Sequence, residues 1–221
     1  MDNILKFPLF ITFEGVEGSG KSTIIKKISK FLSDNSIKNT LTLEPGGTPL
    51  GDLIREILLK KEEVAIGSKA ELMLFLASRV QHIEEKIIPS LNNGITVLCD
   101  RYHDSSLVYQ GIARNLGFSF VEKMNKEATG DYKPVLTFLL DVDAEEGLKR
   151  ISTRKELDRL DKAGTEFHLK VRDGFLAQAK AEPERIHVVD TTFGIQDTVD
   201  RVIELLKKLT DLGEHLNAII K

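Results

Sequence analysis

The stretch EGVEGSGKST, residues 14–23, decides the fold. Within it, Gly15 to Ser22 (GVEGSGKS) matches the spacing G-x-x-x-x-G-K-[ST]. An apolar run, LFITF at 9–13, precedes it, and helical periodicity from Ser22 to Ser33 follows. Strand, glycine-rich turn and helix in that order form the context in which this spacing holds a polyphosphate. Gly15, Gly18, Ser19 and Gly20 let backbone N–H groups converge on phosphate oxygens, and the helix start at Ser22 and Thr23 adds a favourable dipole. Lys21 is placed to reach the outer phosphates and Ser22 to ligate Mg²⁺. The competing reading, a glycine-rich turn with an incidental lysine, leaves the flanking strand and helix unexplained. One residue stands out: Glu17 sets a carboxylate in a loop built for anions.

Outward from the loop, short apolar runs alternate with longer helical patterns. TLTL (40–43), ITVLCD (95–100), VLTFLLDV (135–142) and IHVVD (186–190) read with LFITF as buried strands. Helical patterns cover Gly51 to Lys60, Ser68 to Leu91, Ser105 to Arg114, Ser119 to Thr129, Ala144 to Thr153, Thr165 to Ala181 and Gln196 to Lys208, with a short tail helix after them. The alternation predicts a three-layer α/β domain, a mostly parallel five-stranded sheet flanked by helices. Ligands of such sheets bind outside the carboxyl ends of the strands.

The chain has 221 residues, 41% hydrophobic and 29% charged, with a net charge of -3. This fits a single domain over 1–221 with one large core. No basic field points to nucleic acid. The one cysteine, Cys99, lies in an apolar run and reads as a small core residue. The N-terminus shows no secretion signal and no apolar stretch is long enough to span a membrane, so a cytoplasmic protein is expected. The five His residues show no ligand spacing and read as surface or structural.

The third run ends in DRYHDSS, 100–106. Asp100 is the natural carboxylate for the Mg²⁺ shell or its waters. Arg101, at once after it, suits an enzyme that holds two anionic substrates together. A GTPase switch would need N-K-x-D, and the chain has only NKEA at 125–128; DKAG at 161–164 follows a charged stretch and not a strand.

A second substrate is written less plainly. In AELMLFLASRVQH (70–82), Leu72, Leu76, Val80, Ile83 and Ile87 hold the core spacing, while Phe75 and Arg79 stand together one turn apart. An aromatic plate beside a five-donor fork can stack a base and bond its edge. Taken by itself, the pair reads more readily as a core phenylalanine with a solvated arginine. In DSSLVYQG (104–111), Ser106 and Gln110 make a polar pair, and Ser105 and Tyr109 a wall-like one. EPGGTPLGDLIR (44–55) adds a glycine-rich loop and Arg55, so that Arg55, Arg79 and Arg101 have the means to converge on a monophosphate and its base.

Taken in order, FEGVEGSGKST, EPGGTPLG with its IR, LFLASRVQH, DRYHDSSLVYQG and ELDRLD resemble the pattern of bacterial thymidylate kinases, from about Phe10 to about Val171. The resemblance implies a phosphate-loop kinase fold with a mobile lid, transfer of the γ-phosphoryl group of ATP to dTMP with Mg²⁺, and a homodimer. It implies that Phe75 stacks on thymine, that Arg79 bonds the base edge, and that Ser106 and Gln110 lie near the base. Tyr109 would crowd the sugar at C2′, Arg101 and Arg55 would hold the acceptor phosphate, and Glu17 would point toward the acceptor's 3′-hydroxyl. A kinase for another nucleoside monophosphate, and a nucleotide switch or binding module, are the alternatives.

Some members of that family carry an arginine in the loop just after the acid, where this chain has Gly18. The charge developing on the transferred group then needs another source. STRKELDRLDKAGTEF (152–167) reads as a mobile lid, with Arg154 and Arg159 as the candidate catalytic arginines; Asp161 departs from the commoner D-R-[IL]-E. By analogy with related kinases, Arg150 and the loop DTTFG (190–194) would frame adenine.

Overall fold

The computed structural model describes residues 4–60, 65–152, 159–160 and 163–213. Among these, five strands form one sheet: β1 (Phe10–Glu14), β2 (Asn39–Leu43), β3 (Thr96–Asp100), β4 (Leu136–Asp141) and β5 (Ile186–Asp190). Their spatial order is β2-β3-β1-β4-β5, and every pairing is parallel. β1 is central and buried along its whole length, which is why its apolar residues Phe10, Ile11 and Phe13 fall on both faces without alternation. The order reverses on the two sides of β1, so the crevice past its carboxyl end is where this topology places ligands.

The helices are α1 (Lys21–Asp34), α2 (Pro49–Arg55), α3 (Ser68–His82), α4 (Ile88–Asn92), α5 (His103–Ser106), α6 (Phe118–Thr129), α7 (Ala144–Ile151), α8 (Thr165–Ala181) and α9 (Ile195–Leu209). One face of the sheet is covered by α1 and α9 through Ile24, Ile28, Leu32, Val202 and Leu206. On the other face, Val108, Val171 and Phe175 pack with Leu139 and Val142. Each fully buried aliphatic side chain contributes about 1.5–3 kcal/mol by leaving water.

The strand runs of the sequence all appear, each within one residue at either end. The helical patterns differ more. Ser68 to Leu91 is not one regular α-helix: π-helical turns occupy Ile83–Ile87 between α3 and α4. Pro89 has no N–H to give the carbonyl four residues back, so regular bonding is broken there. Gly51 to Lys60 starts earlier, because the Thr48 side chain accepts from Gly51 N at 3.1 Å and Pro49 suits the first turn; it ends in π-helical turns at Glu56–Lys60. Ser105 to Arg114 becomes α5 followed by π-helical turns over Leu107–Ala113, and these carry Tyr109 and Gln110.

Candidate functional site

Past the carboxyl ends of β1, β2 and β3 lies a cavity with about 1030 Å³ of empty space, counted to its open mouth. The phosphate loop forms one end, through Glu17, Gly18, Gly20, Lys21, Ser22 and Thr23. The other end is lined by Arg55, Phe75, Arg79, Ser106, Tyr109 and Gln110, and Asp100 and Arg101 stand between the two. Gly15 and Ser19 belong to the loop's inner side and do not line the cavity.

The loop's shape follows from its glycines. Gly18 has φ 77°, and a Cβ there would lie 2.1 Å from the Gly147 carbonyl oxygen on α7. This contact is a physical reason for Gly18 where some relatives of the pattern carry arginine: a side chain would push the loop off α7. Lys21 folds back over the loop, its Nζ donating to the carbonyls of Gly15 at 2.9 Å and Val16 at 2.8 Å. Burial, with Arg101 close by, lowers the Lys21 ammonium to about 8. Ser22 Oγ donates to Asp100 Oδ2 at 3.0 Å, bringing the hydroxyl and carboxylate of the expected metal pair together. Among the described residues no three His, Cys, Asp or Glu gather as a metal site. One hydroxyl and one carboxylate fit a cation that takes most of its ligands from phosphate and water, as Mg²⁺ does.

Arg101 is the joint of the site. It sits at φ 70°, a left-handed conformation uncommon for a residue with a side chain. From there Nη1 donates to Gly15 O at 2.9 Å and Nη2 to Glu17 Oε1 at 2.9 Å, with the guanidinium 5.1 Å from the centre of the Tyr109 ring. Tyr109 OH also donates to Glu17 Oε1, at 2.6 Å, and His168 Nδ1 lies 3.1 Å from Glu17 Oε2. Burial alone would raise the Glu17 carboxyl, but Arg101, His168, Lys21 and Tyr109 together hold it well below the usual carboxylate range. Burial, with Glu17 beside it, raises the Tyr109 phenol although Arg101 opposes this, and Tyr109, Glu17, Asp100 and Glu14 raise the Arg101 guanidinium against its burial.

On the base side, Phe75 is half-buried on α3, and Arg79 is 1% exposed, which rules out the solvated arginine that the pattern allowed. Arg79 Nε donates to Glu44 Oε2 at 2.7 Å, its Nη1 bonds Asn125 Oδ1, and its guanidinium lies 5.0 Å from the Tyr102 ring centre. Arg55 Nη1 donates to Pro45 O at 2.8 Å. Ser106 Oγ is buried and takes no partner among the described residues, and Gln110 Nε2 donates to Glu71.

The remaining expected residues lie elsewhere. Arg150, on α7, pairs with Glu146 at 3.2 Å and does not line the cavity. Arg159 does not line it either: its Nε donates to Leu58 O at 3.0 Å and its Nη2 pairs with Glu71. The free lid arginine expected from the sequence is thus a docked one at this position, because a buried carboxylate is available to it. Arg154 and Asp161 fall outside the described residues. From the expected lid, Leu160 reaches the cavity wall.

Three site residues escaped the sequence. Glu44, the acid of EPGG, anchors Arg79 and also His82 Nδ1 at 2.9 Å. Glu71 anchors Gln110, Arg114 and Arg159. His168, expected at the surface or in a structural role, touches the loop carboxylate. Their partners are 35 or more residues away in the chain, and only the lone acid directly after β2 offered a local signal.

A family model described as thymidylate kinase matches residues 13–202. A thymidylate kinase of Chlamydia trachomatis is 46% identical over 203 residues, 91% of this chain and 100% of that protein. One from Clostridium novyi is 44% identical over 200 residues, 90% of this chain and 96% of its own length. A crystal structure of thymidylate kinase from Ehrlichia chaffeensis superposes with a TM-score of 0.74 at 34% identity, covering 91% of this chain and 99% of that one. A phosphate loop and an arginine-lined end of the same cavity, meeting at one arginine on a parallel sheet shared with such relatives, place this chain in the thymidylate kinase family.

Proposed function

We propose that the chain transfers the γ-phosphoryl group of ATP to dTMP, giving ADP and dTDP, as a cytoplasmic homodimer. The observation that carries this reading is the single cavity in which Arg101 bridges the phosphate loop and an acceptor pocket. In that reading the loop backbone and Lys21 hold the donor's phosphates, and Ser22 and Asp100 hold Mg²⁺, which neutralises phosphate charge when bound. Arg101 and Arg55 bind the acceptor phosphate, so the reacting oxygen is positioned rather than strongly activated. Glu17, with lone pairs left beyond those its protein donors use, accepts from the sugar 3′-hydroxyl. Phe75 stacks on the base, Arg79 and Gln110 read its edge, and Tyr109 leaves no room for a ribose 2′-hydroxyl. Arg154 adds charge on closure, and Arg150 lies toward adenine. The apolar side chains Leu50, Leu53 and Met73, exposed on α2 and α3, offer a face for a second copy.

The test is ADP production from Mg·ATP with dTMP, dUMP, UMP, CMP, AMP and GMP, and without acceptor. A strong preference for dTMP is expected. Preference for another monophosphate would overturn the roles of Phe75, Arg79 and Tyr109, and hydrolysis indifferent to acceptor would overturn the transfer itself. Tyr109→Ala should raise activity on UMP relative to dTMP; an unchanged ratio removes Tyr109 from sugar selection.

A further inference from the structure

We infer that Glu71, which does not line the cavity, determines the base preference of the acceptor site by fixing which end of the Gln110 amide the cavity sees. Gln110 lies on the π-helical turns Leu107–Ala113 and lines the cavity. Its Nε2 donates to Glu71 Oε1 at 2.7 Å. Glu71 is 1% exposed and is held by two guanidinium groups, Arg114 Nε at 3.5 Å and Arg159 Nη2. Its two oxygens thus face N–H donors from Gln110, Arg114 and Arg159, to which they offer lone pairs.

The two ends of a glutamine amide are nearly identical in shape, so its orientation is set by its partners. With an obligate acceptor behind it, the Gln110 NH₂ must face Glu71, and its carbonyl Oε1 is the end left for a ligand. The cavity wall is therefore an acceptor at that point. Thymine and uracil carry a proton on N3 and can donate to it, whereas N3 of cytosine is itself an acceptor and would oppose it. A site built to accept an N–H discriminates strongly against a ligand that lacks one, because the buried carbonyl is left unpaired. Ser106 Oγ, one turn before Gln110, can donate or accept and so does not discriminate at this point. Glu71 acts through Gln110 and is a positioning residue.

This inference rests on the proposed acceptor reading. The test compares kcat/KM for dTMP and dCMP in the wild type, in E71Q and in the swapped pair E71Q with Q110E. An amide at position 71 can donate as well as accept, so Gln110 is free to turn over; E71Q should narrow the dTMP-to-dCMP ratio by at least about tenfold. Loosened packing alone would lower both substrates together and leave the ratio in place. The swapped pair puts the carboxylate on the cavity side with the amide behind it, so the cavity again presents acceptors, and the ratio should return to within about threefold of wild type. A ratio unchanged in E71Q overturns the inference, as does a swapped pair that stays as unselective as E71Q. E71Q decides alone should the swapped pair not fold, and E71M, which leaves no acceptor behind Gln110, takes its place by the same criterion should E71Q not fold. A wild type without preference for dTMP over the other monophosphates overturns the acceptor reading and this inference with it. A wild-type preference that E71Q leaves intact overturns this inference only.

Discussion

Glu14 and Glu17 are three residues apart, both are buried, and their environments drive them in opposite directions. Glu14 ends β1 and is 1% exposed; it accepts from Tyr102 N at 2.8 Å and Ser105 Oγ at 2.6 Å, both neutral donors. Burial and the nearby Asp104 carboxylate push it up to about 7. Glu17 in the loop is equally short of water, but a guanidinium touches it, and a phenol and an imidazole complete its surroundings. Burial penalises the charged form of both, and direct charge contact decides which carboxylate stays ionised. Behind this lies Asp104, which the adjacent His103 and the Arg185 fork, gripping both of its oxygens at 2.8 Å, hold low despite its burial. Negative charge is thus held at Asp104 and Glu17, each beside its own arginine, and weakened at the strand end directly beneath the phosphate loop.

The comparison breaks first at Arg101. Arg101→Ala removes the bridge to Gly15 O and leaves Glu17 buried beside Tyr109 without its guanidinium. We expect kcat/KM for dTMP to fall at least about 100-fold, on the scale of a lost charge-assisted contact to substrate plus a stranded carboxylate. Steady-state kinetics measures it, and a change under threefold would remove Arg101 from the site. Glu17→Gln keeps the shape and deletes the charge. A fall of about 30-fold is expected, mainly through loss of the acceptor for the sugar hydroxyl and of the anchor that orients Arg101. An unchanged rate would make Glu17 a structural tether alone.

Glu14 sharpens the contrast through stability. A carboxyl held at about 7 when folded, against an ordinary 4.5 when unfolded, lends stability that is fully present below pH 4.5 and lost as pH rises through 7. Glu14→Gln abolishes that titration. Its stability relative to wild type should therefore improve by about 1–2 kcal/mol between pH 4.5 and 7.5, less than the full shift implies because Asp104 titrates with it. Urea denaturation at the two pH values reads this directly. A difference constant across pH would mean that Glu14 is ionised throughout, like Glu17.

Much of this was legible beforehand, and the boundary has a physical cause. The five strands and the phosphate loop declare themselves because apolar runs and glycine spacing act locally. Asp100 and Arg101 were readable because they end a strand beside that loop. The pair Phe75 and Arg79 was ambiguous because a helix shows its period but not what lies opposite. The burial of Arg79 depends on Glu44, 35 residues earlier. The docking of Arg159 on Glu71 crosses 88 positions, and no local pattern encodes it. The π-helical turns that carry Tyr109 and Gln110 were likewise invisible, since one extra residue per turn leaves the composition unchanged.

His168 is the mildest way to disturb the Glu17 side of the comparison. It comes from α8, on the far side of the expected lid, and its Nδ1 reaches Glu17 Oε2 at 3.1 Å while its neighbour Phe167 packs edge-on against the Tyr109 ring at 6.0 Å. Arg101 and Tyr109 both act on Oε1, so His168 is what steadies the other oxygen. His168→Phe fills the space but donates nothing, and a loss of about fivefold in kcat/KM for dTMP is expected, the scale of one modest hydrogen bond in a site that keeps its stronger partners. His168→Asn, which retains a donor, should recover to within about twofold of wild type. Equal losses in the two variants would show that the ring's packing against Phe167 matters and the bond to Glu17 does not. A loss confined to the phenylalanine variant would make α8 a direct support of the phosphate loop, through the carboxylate that Arg101 also holds.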